Sequence, residues 1–477
     1  MHCCLRFLQI KVRAACLRLN NRLCYPLFMK KIGFVSLGCP KNLVDSEVMM
    51  GQLKQAGYEI TADPTEAEAV VVNTCGFIEA AKQESIEAIL ESAQLKRNGN
   101  VNKLIVTGCL VERYRDELVK ELPEVDFFLG IDEVTKIVNA VEENRDFRSL
   151  PLLPIGNKTA TYIYSSDTPR LRATPFYMAF VKIAEGCDRP CSFCAIPLMR
   201  GSFRSRTAES IIREVENLAE QGVKEVVLVA QDSSRFGEDL GEKEGLAKLI
   251  RQLGKIDGIE WIRVLYTYPT HISDEFLAAI AETPKAVKYL DLPLQHASQK
   301  ILKLMRRGGN RRSLERLIER VRSWIPEITV RTTFIVGFPG ETDEDFRELM
   351  AFVRNCEFDN LGVFTYSDEE NTPAFNLPDK VDPKIARKRR SELMKEQAKI
   401  SKRKNKEKIG KILKVLFEGT SPESDLLFHG RHEGQAHEID GYILINKIPD
   451  DLVPRVGEFY NVRITRAMEY DLIGEII

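Results

Sequence analysis

No stretch of this chain approaches the roughly 18 consecutive apolar residues that a membrane-crossing helix needs, so a soluble, cytoplasmic protein is expected. Net charge is nearly absent too: 69 Lys and Arg stand against 70 Asp and Glu. Recognition driven by charge must therefore come from local asymmetry. A disulfide framework is also missing, because the eleven cysteines are odd in number and most sit singly after apolar runs, which suits a reducing compartment. Residues 1–29 lack acidic side chains altogether, with Cys3, Cys4, Cys16 and Cys24 scattered among Arg6, Lys11, Arg13, Arg18 and Arg22. A clean strand opens at Met29-Lys30-Lys31, so this extension reads as an untidy or non-native start, with a basic targeting peptide as the alternative. The remaining length, out of 477 residues of ordinary globular composition, is enough for about three domains with a large core.

A further absence is chemically specific. In Glu185-Gly186-Cys187-Asp188-Arg189-Pro190-Cys191-Ser192-Phe193-Cys194, three cysteines spaced x3 and x2 share one polar turn and no fourth follows. Three thiolates can hold three irons of a cubane cluster and leave the fourth iron open. An open iron can chelate the amino and carboxylate groups of S-adenosylmethionine, whose sulfonium then accepts an electron and yields a carbon radical. Zinc would call for a fourth Cys or His nearby, and three packed thiols have no reason to sit in a polar turn. The pattern, with the aromatic Phe193 between the last two cysteines, resembles the radical S-adenosylmethionine superfamily.

From Lys31 to about residue 150, apolar runs alternate with helical patterns. Ile32–Leu37, Ala69–Asn73 and Lys103–Thr107 read as buried parallel strands, with helices such as Asp45–Ala56 and Ile78–Gln94 between them. Each strand is followed by a cysteine: Cys39, Cys75 and Cys109. Carboxyl ends of an open parallel sheet converge on one edge where ligands bind, so three sulfurs distant in sequence should meet, flanked by Gly38, Gly76 and Gly108. A lone cysteine of this kind is a small core residue, as Cys356 is read. Three at one topological position point to a second three-cysteine cluster, whose open iron could carry an exogenous sulfur atom.

Gly38-Cys39-Pro40-Lys41-Asn42-Leu43-Val44-Asp45-Ser46-Glu47, Asn73-Thr74-Cys75-Gly76-Phe77, Thr107-Gly108-Cys109, the radical loop and Pro197-Leu198-Met199-Arg200-Gly201 together resemble the methylthiotransferases from about residue 30 to the end. The resemblance implies two [4Fe-4S] clusters, an auxiliary one on Cys39, Cys75 and Cys109 and a radical one on Cys187, Cys191 and Cys194. It implies two molecules of S-adenosylmethionine as well, one methylating sulfur held at the auxiliary cluster and one giving the deoxyadenosyl radical. An external electron donor and a sulfur donor are implied as partners.

The central region, about 172–380, repeats strand and helix. Tyr177–Ala184, Val226–Ala230, Ile262–Tyr266, Val287–Leu292, Val330–Val336 and Leu361–Thr365 give six strands of an open, incomplete (βα)6 barrel whose active face is its strand carboxyl ends. Cys187, Gln231, Asp232, Tyr268, Gln295, His296 and the Gly337-Phe338-Pro339-Gly340-Glu341 loop all fall there. Phe193, Gln231, Asp232, Gln295, Gly337, Pro339 and Gly340 are the expected S-adenosylmethionine-binding positions. His296 is expected to orient substrate or cofactor rather than to act as a base or ligand. Arg200, Ser205 and Arg206 read either as contacts to the methionyl carboxylate or substrate, or as a solvated basic turn.

Pro383–Lys408 is a basic helix-favouring stretch, read either as a solvated connector or as a contact to ribosomal RNA. Beyond Gly410 the alternation of Ile412–Phe417, Tyr442–Ile445 and Phe459–Ile464 predicts a small all-β barrel, corresponding to the family's TRAM domain. The expected organisation is thus α/β: an extension 1–29, an N-terminal open parallel-sheet domain 30–150, a radical barrel with its basic helix 172–400, and the TRAM barrel 410–477.

The family acts on either a transfer-RNA adenosine or an aspartate of ribosomal protein S-twelve. From Lys411 to Ile477 there are 7 Lys and Arg against 12 Asp and Glu, the wrong sign for gripping phosphates and the right one for a basic ribosomal protein. Glu433, Glu438 and Asp440 are taken as carboxylates of that docking surface. Pro40-Lys41 and Tyr366-Ser367-Asp368-Glu369-Glu370 resemble the protein-modifying branch, although Asn371 stands where that branch usually has glycine. The expected activity is radical methylthiolation of the S-twelve aspartate β-carbon, whose hydrogen is not acidic, with RNA contact secondary. A transfer-RNA methylthiotransferase and a non-catalytic, ribosome-binding iron–sulfur protein are the alternatives.

Overall fold

The computed structural model describes residues 30–99, 101–143 and 161–477; the basic extension and the 150 boundary lie outside the described residues. The chain forms two compact units. One comprises the residues up to Ala173 together with Ala195–Ser202, and the other Thr174–Cys194 together with Phe203–Ile477.

The first unit is a parallel sheet in the order β2-β1-β3-β4-β5, built from β1 (Lys31–Ser36), β2 (Glu59–Thr61), β3 (Ala69–Thr74), β4 (Lys103–Gly108) and β5 (Phe127–Leu129). Helices α1 (Pro40–Gln55), α2 (Glu79–Arg97), α3 (Cys109–Glu121) and α4 (Ile137–Glu142) connect the strands, and α5 (Ile196–Arg200) joins this unit from further along the chain. β3 is buried at all six positions, as a strand covered on both faces must be, and its Val-rich sequence supplies that core. The signature Gly38–Glu47 is mostly a polar lattice. Asn42 donates to the carbonyls of Leu37 (2.7 Å) and Thr74 (3.3 Å), while Asn73 donates to the Asn42 carbonyl and Ser46 Oγ, each at 2.8 Å. These bonds lock the ends of β1 and β3 together, so each buried amide is satisfied where an apolar residue would leave carbonyls orphaned.

The second unit has six parallel strands, β6 (Met178–Lys182), β9 (Glu225–Val229), β10 (Trp261–Val264), β11 (Tyr289–Asp291), β12 (Thr329–Val336) and β13 (Asn360–Thr365), with the short antiparallel pair β7 (Ala184–Glu185) and β8 (Arg204–Ser205) between β6 and β9. β6, β9 and β10 form one ladder and β11, β12 and β13 another; a parallel bridge between Ile262 and Ala286 links them. This is the expected incomplete (βα)6 barrel. Around it run α6 (Ala208–Glu220), α7 (Gly245–Leu253), α8 (Asp274–Glu282), α9 (Gln299–Leu304), α10 (Arg311–Trp324), α11 (Asp343–Cys356) and α12 (Pro383–Lys406), the amphipathic ones sealing a single apolar core. Asn371 has φ +64°. Its short polar side chain tolerates the left-handed turn that glycine otherwise supplies.

The C-terminal barrel is closed in the order β14-β15-β16-β18-β17, from β14 (Ile412–Ser421), β15 (Ser424–His432), β16 (Ile443–Lys447), β17 (Phe459–Ala467) and β18 (Leu472–Ile476). β15 and β18 were not expected from sequence. β15 carries a 90 % exposed Leu426 and breaks the alternation, and β18 is five residues long with Gly474 inside it. The barrel packs against the amino ends of the parallel strands. Trp261, opening β10, meets Phe459 edge-on at 4.8 Å. Glu225, opening β9, sits between Arg263 (2.8 Å) and Arg431 of β15 (2.7 Å), and Arg431 also binds Glu418 (2.9 Å). Two cations and two anions alternate here with essentially no exposure.

That joint consumes one carboxylate assigned above to docking. Asp440 accepts from Tyr289 Oη at 2.8 Å and its side chain is only 3 % exposed. Glu433 accepts from the Lys288 amide at 2.9 Å but stays exposed, as does Glu438. Asp440 belongs to the seam with the parallel-strand domain, because a strand amino end presents N–H groups and basic side chains that need acceptors. Exposed acids on the barrel include Glu423, Asp425, Asp450 and Asp451.

Arg431→Ala would leave Glu225 with Arg263 alone and buried Glu418 with no arginine, only His429 and His437, and should cost about 3–5 kcal/mol, read as an earlier denaturation midpoint. His432 adds a pH term: burial first, then the charges of Lys408, Arg263 and Arg431, bring its ring from 6.5 down to about 3. Between those values the unfolded chain binds the proton and the folded chain does not. Stability is therefore complete above pH ~6.5 and falls, by up to ~1.4 kcal/mol per unit, as pH drops towards ~3. His432→Asn, which keeps an acceptor for the Gly434 amide, should flatten that slope in denaturant titrations at stepped pH.

Candidate cluster and cofactor sites

In the first unit, Cys39 is the N-cap of α1, Cys75 follows β3, and Cys109 opens α3 directly after β4. All three lie at the carboxyl edge of the sheet. The close approach requires glycine at two points. Gly38 (φ +90°) would place a Cβ 2.9 Å from that of Cys75, and Gly108 (φ +102°) would place one 2.4 Å from Asn73 Oδ1. The thiols feel one another: burial raises Cys75 to about 12, with Cys109 and Cys39 adding to the rise. Burial raises Cys109 as well, offset in part by Arg200. Burial would also raise Cys39, but Lys41, Arg200 and the amides of Asn42 and Lys41 carry it below its ordinary value.

Arg200 answers the question left open for the basic turn. It is 1 % exposed and belongs to this unit, donating to Asp45 (2.7 Å), Asn42 Oδ1 (3.1 Å) and Cys109 Sγ (3.3 Å). Arg206 is equally buried, held by Glu214 (2.5 Å) and the Lys182 carbonyl (3.0 Å), and Ser205 bonds Asp239. Neither arginine is a solvated turn residue, and Ser205 is half-buried in β8. The Pro197–Gly201 signature thus supplies a cation to the thiol site of the first unit.

In the second unit, Cys187, Cys191 and Cys194 occupy the loop after β7, with Gly186 at φ +79°. Ser192 anchors the loop: its amide and hydroxyl donate to the carbonyls of Met305 (3.0 Å) and Leu304 (2.7 Å), and its carbonyl accepts from Ala374 (2.8 Å). Phe193 packs beside Ile301, Met305 and Phe338. Gln231 follows β9 and donates to Glu185 at 2.6 Å, and Glu185 in turn pairs with buried Lys182 at 2.6 Å. Asp232 accepts from Arg189 at 2.8 Å. Gln295, beyond β11, adopts φ +72° and bridges to Phe334 of β12. Gly337 and Gly340 are also left-handed; a Cβ on Gly337 would lie 2.4 Å from that of Ala386. Pro339 sits between them, and Glu341 accepts from the amides of Gly337 and Phe338, fixing the loop.

Three buried polar atoms at this face have no hydrogen-bond partner among the described residues, Gln231 Oε1, Gln295 Oε1 and His296 Nε2, while Glu341 Oε1 lies 3.4 Å from the Arg389 guanidinium. His296 accepts the Ser298 amide at Nδ1 (3.0 Å), which puts the proton on Nε2, 4.0 Å from Glu341 Oε1. Orphaned buried donors and acceptors grouped at one strand edge fit a polar, zwitterionic ligand. Among the described residues no three ligating side chains converge on a point as a single metal ion would need. A cubane places its irons one per thiolate and makes no such demand.

Two arginines escaped the sequence reading. Tyr268 is sandwiched between the guanidinium groups of Arg189 (4.1 Å) and Arg307 (4.3 Å), and Arg307 reaches Cys191 Sγ at 3.5 Å. Arg189 lies inside the cysteine loop itself, and the Arg306-Arg307-Gly308-Gly309 turn after α9 was the available signal for its partner.

Comparison with known proteins shows the family of the chain. The chain matches "Uncharacterized protein family UPF0004" over residues 31–130, the radical SAM superfamily over 181–353 and the TRAM domain over 409–477. Proteins named ribosomal protein uS12 methylthiotransferase RimO are similar along nearly their whole length. That of Koribacter versatilis is 46 % identical over 94 % of this chain and 96 % of its own; that of Solibacter usitatus is 49 % identical (94 % and 95 %), and that of Geobacter sulfurreducens 48 % (94 % and 99 %). The chain belongs to the RimO methylthiotransferase family. With that membership come S-adenosylmethionine and two [4Fe-4S] clusters as cofactors. Among solved structures, the radical S-adenosylmethionine methyltransferase TsrM from Kitasatospora setae aligns with a TM-score of 0.53 at 15 % identity, covering 72 % of this chain and 77 % of that one. At that identity the likeness is one of fold.

Arg200→Gln should strand Asp45 in a buried pocket without its cation, destabilising the first unit by about 3–5 kcal/mol. Iron retained after anaerobic reconstitution should fall in parallel, measured against protein concentration.

Proposed function

We propose that this chain transfers a methylthio group to the β-carbon of an aspartate in ribosomal protein uS12. The observation that carries the reading is the combination of two three-cysteine sites, each at the carboxyl ends of parallel strands, with near-full-length relatives of that name. Cys39, Cys75 and Cys109 would hold the auxiliary cluster, and Cys187, Cys191 and Cys194 the radical cluster. When bound, the cofactors would supply a methylated sulfur and, on receipt of one electron, a carbon radical able to break an unactivated C–H bond; the Cβ–H bond would be replaced by Cβ–S, with the hydrogen leaving on deoxyadenosine and the electron released on Cβ–S formation returning to the iron–sulfur clusters.

The chain's own residues do the positioning. Gln231, Gln295 and His296 offer the unsatisfied polar atoms that would orient S-adenosylmethionine, with Asp232 fixed by Arg189 beside them. Glu341 holds the Gly337–Gly340 backbone open for close approach, and Phe193 closes the loop on its apolar side. An electron donor and a sulfur donor in the cytoplasm would be required. The exposed acids of the C-terminal barrel favour a basic protein over a nucleic acid as its partner.

Each of Cys187→Ala, Cys191→Ala and Cys194→Ala should abolish deoxyadenosine formation and remove about one cluster's iron, roughly four of eight atoms per chain. Cys39→Ala, Cys75→Ala and Cys109→Ala should remove a similar share while reductive cleavage of S-adenosylmethionine persists in part. Mass analysis of uS12 and of transfer RNA from cells lacking the gene decides the target: loss of the methylthio group from transfer RNA alone would refute the protein substrate.

A further inference from the structure

Helix α12 has two faces of different character. Its inner face packs on the second unit: Ala386, Leu393 and Ile400 are buried, Arg390 donates to the Val363 carbonyl (3.0 Å), and Gln397 to the Phe358 carbonyl (2.7 Å). On the opposite side lie Lys384, Lys388, Lys395, Lys399, Lys402 and Lys406, all exposed. At ~100° per residue these six lysines fall within a sector of roughly 60°, and they span about 33 Å along the axis. No other residue of the helix lies in that sector; Ser391 and Glu392 flank it on either side. Lys388 and Lys399 touch carboxylates one turn away at 3.9 and 3.3 Å, but their side chains remain 76 % and 75 % exposed.

The two ends of the helix are anchored differently. Near its start Ala386 packs against Gly337 and Arg389 binds the Glu341 carbonyl at 3.2 Å, so this end lies at the carboxyl face with the cofactor loop. Near its end Asn405 donates to the carbonyls of Met468 and Glu469 of the C-terminal barrel. The lysine row therefore runs from the chemical edge of the parallel strands to the barrel.

We infer that this row is a binding track for the phosphate backbone of RNA. An unbroken line of lysines free of intervening carboxylates matches a polyanion of uniform charge. A membrane surface fits less well, because a helix lying on lipid must offer its apolar face, and here that face is packed against β13. The barrel carries more acids than bases, so within the second unit the lysine row of α12 is the better match to phosphate. RNA binding by this helix is independent of the reaction at the clusters, and it is tested without any methylthiolation assay.

The test compares the parent chain with Lys388→Glu/Lys395→Glu/Lys402→Glu and with a control triple of equal charge change at exposed lysines elsewhere, Lys243→Glu/Lys248→Glu/Lys255→Glu. Binding of a fluorescent RNA hairpin of about 30 nucleotides is followed from low to moderate salt. With three lysine–phosphate pairs removed, the slope of log K against log[salt] should shrink by roughly 2–3 and low-salt affinity should fall at least ~10-fold in the α12 variant only. Deoxyadenosine production and circular dichroism report that the variants remain folded. Equal weakening in both triples, an unchanged slope, or parent binding to phosphatidylserine vesicles or polyglutamate as tight as to RNA would overturn the inference.

Discussion

The strands of both α/β sheets run parallel, and that single constraint distributes everything else. A parallel ladder gathers its carboxyl ends at one edge, so residues that follow the strands are collected there regardless of their separation in sequence. Cys39, Cys75 and Cys109 meet in this way in the first unit. Gln231, Gln295 and the Gly337–Gly340 loop do so in the second. The amino ends are left for a different task, and in the second unit the C-terminal barrel covers them through the Arg263–Glu225–Arg431–Glu418 row.

Burying four ionised groups there is a specific choice. Burial alone would push Glu418 up, yet Arg431 and His437 bring it down to about 2, so it stays charged. A fully apolar seam of the same volume could be as stable, but it would fix orientation less tightly. Asp440, wedged between Tyr289 and Arg331, extends the same logic along the seam.

Parallel strands of four to eight apolar residues followed by Gly-Cys or a Gly-rich turn were legible because periodicity and punctuation agree, and six of six barrel strands appeared within a few residues of their expected ends. The grouping of Cys187, Cys191 and Cys194 in one loop was legible because x3 and x2 spacing needs no tertiary information. What could not be read was side-chain destination. Arg200 read equally as a contact to cofactor or substrate and as a solvated basic residue, and is buried beside Cys109; Asp440 looked like a surface carboxylate and is part of a seam. Charged residues are mostly exposed, so sequence defaults to that answer, and only the three-dimensional partner reverses it. β15 and β18 escaped because a mostly exposed first half in the one and an internal glycine in the other erase the alternation that marks a strand.

The placement of the barrel at the strand amino ends has a geometric consequence for selectivity. Chemistry and barrel lie at opposite ends of the second unit, with α12, 24 residues and about 36 Å long, as the rod between them. A ligand that engages both must be at least that tall. A short peptide carrying the reactive residue would reach one end and miss the other, so the unit measures the size of what it handles as well as its chemistry.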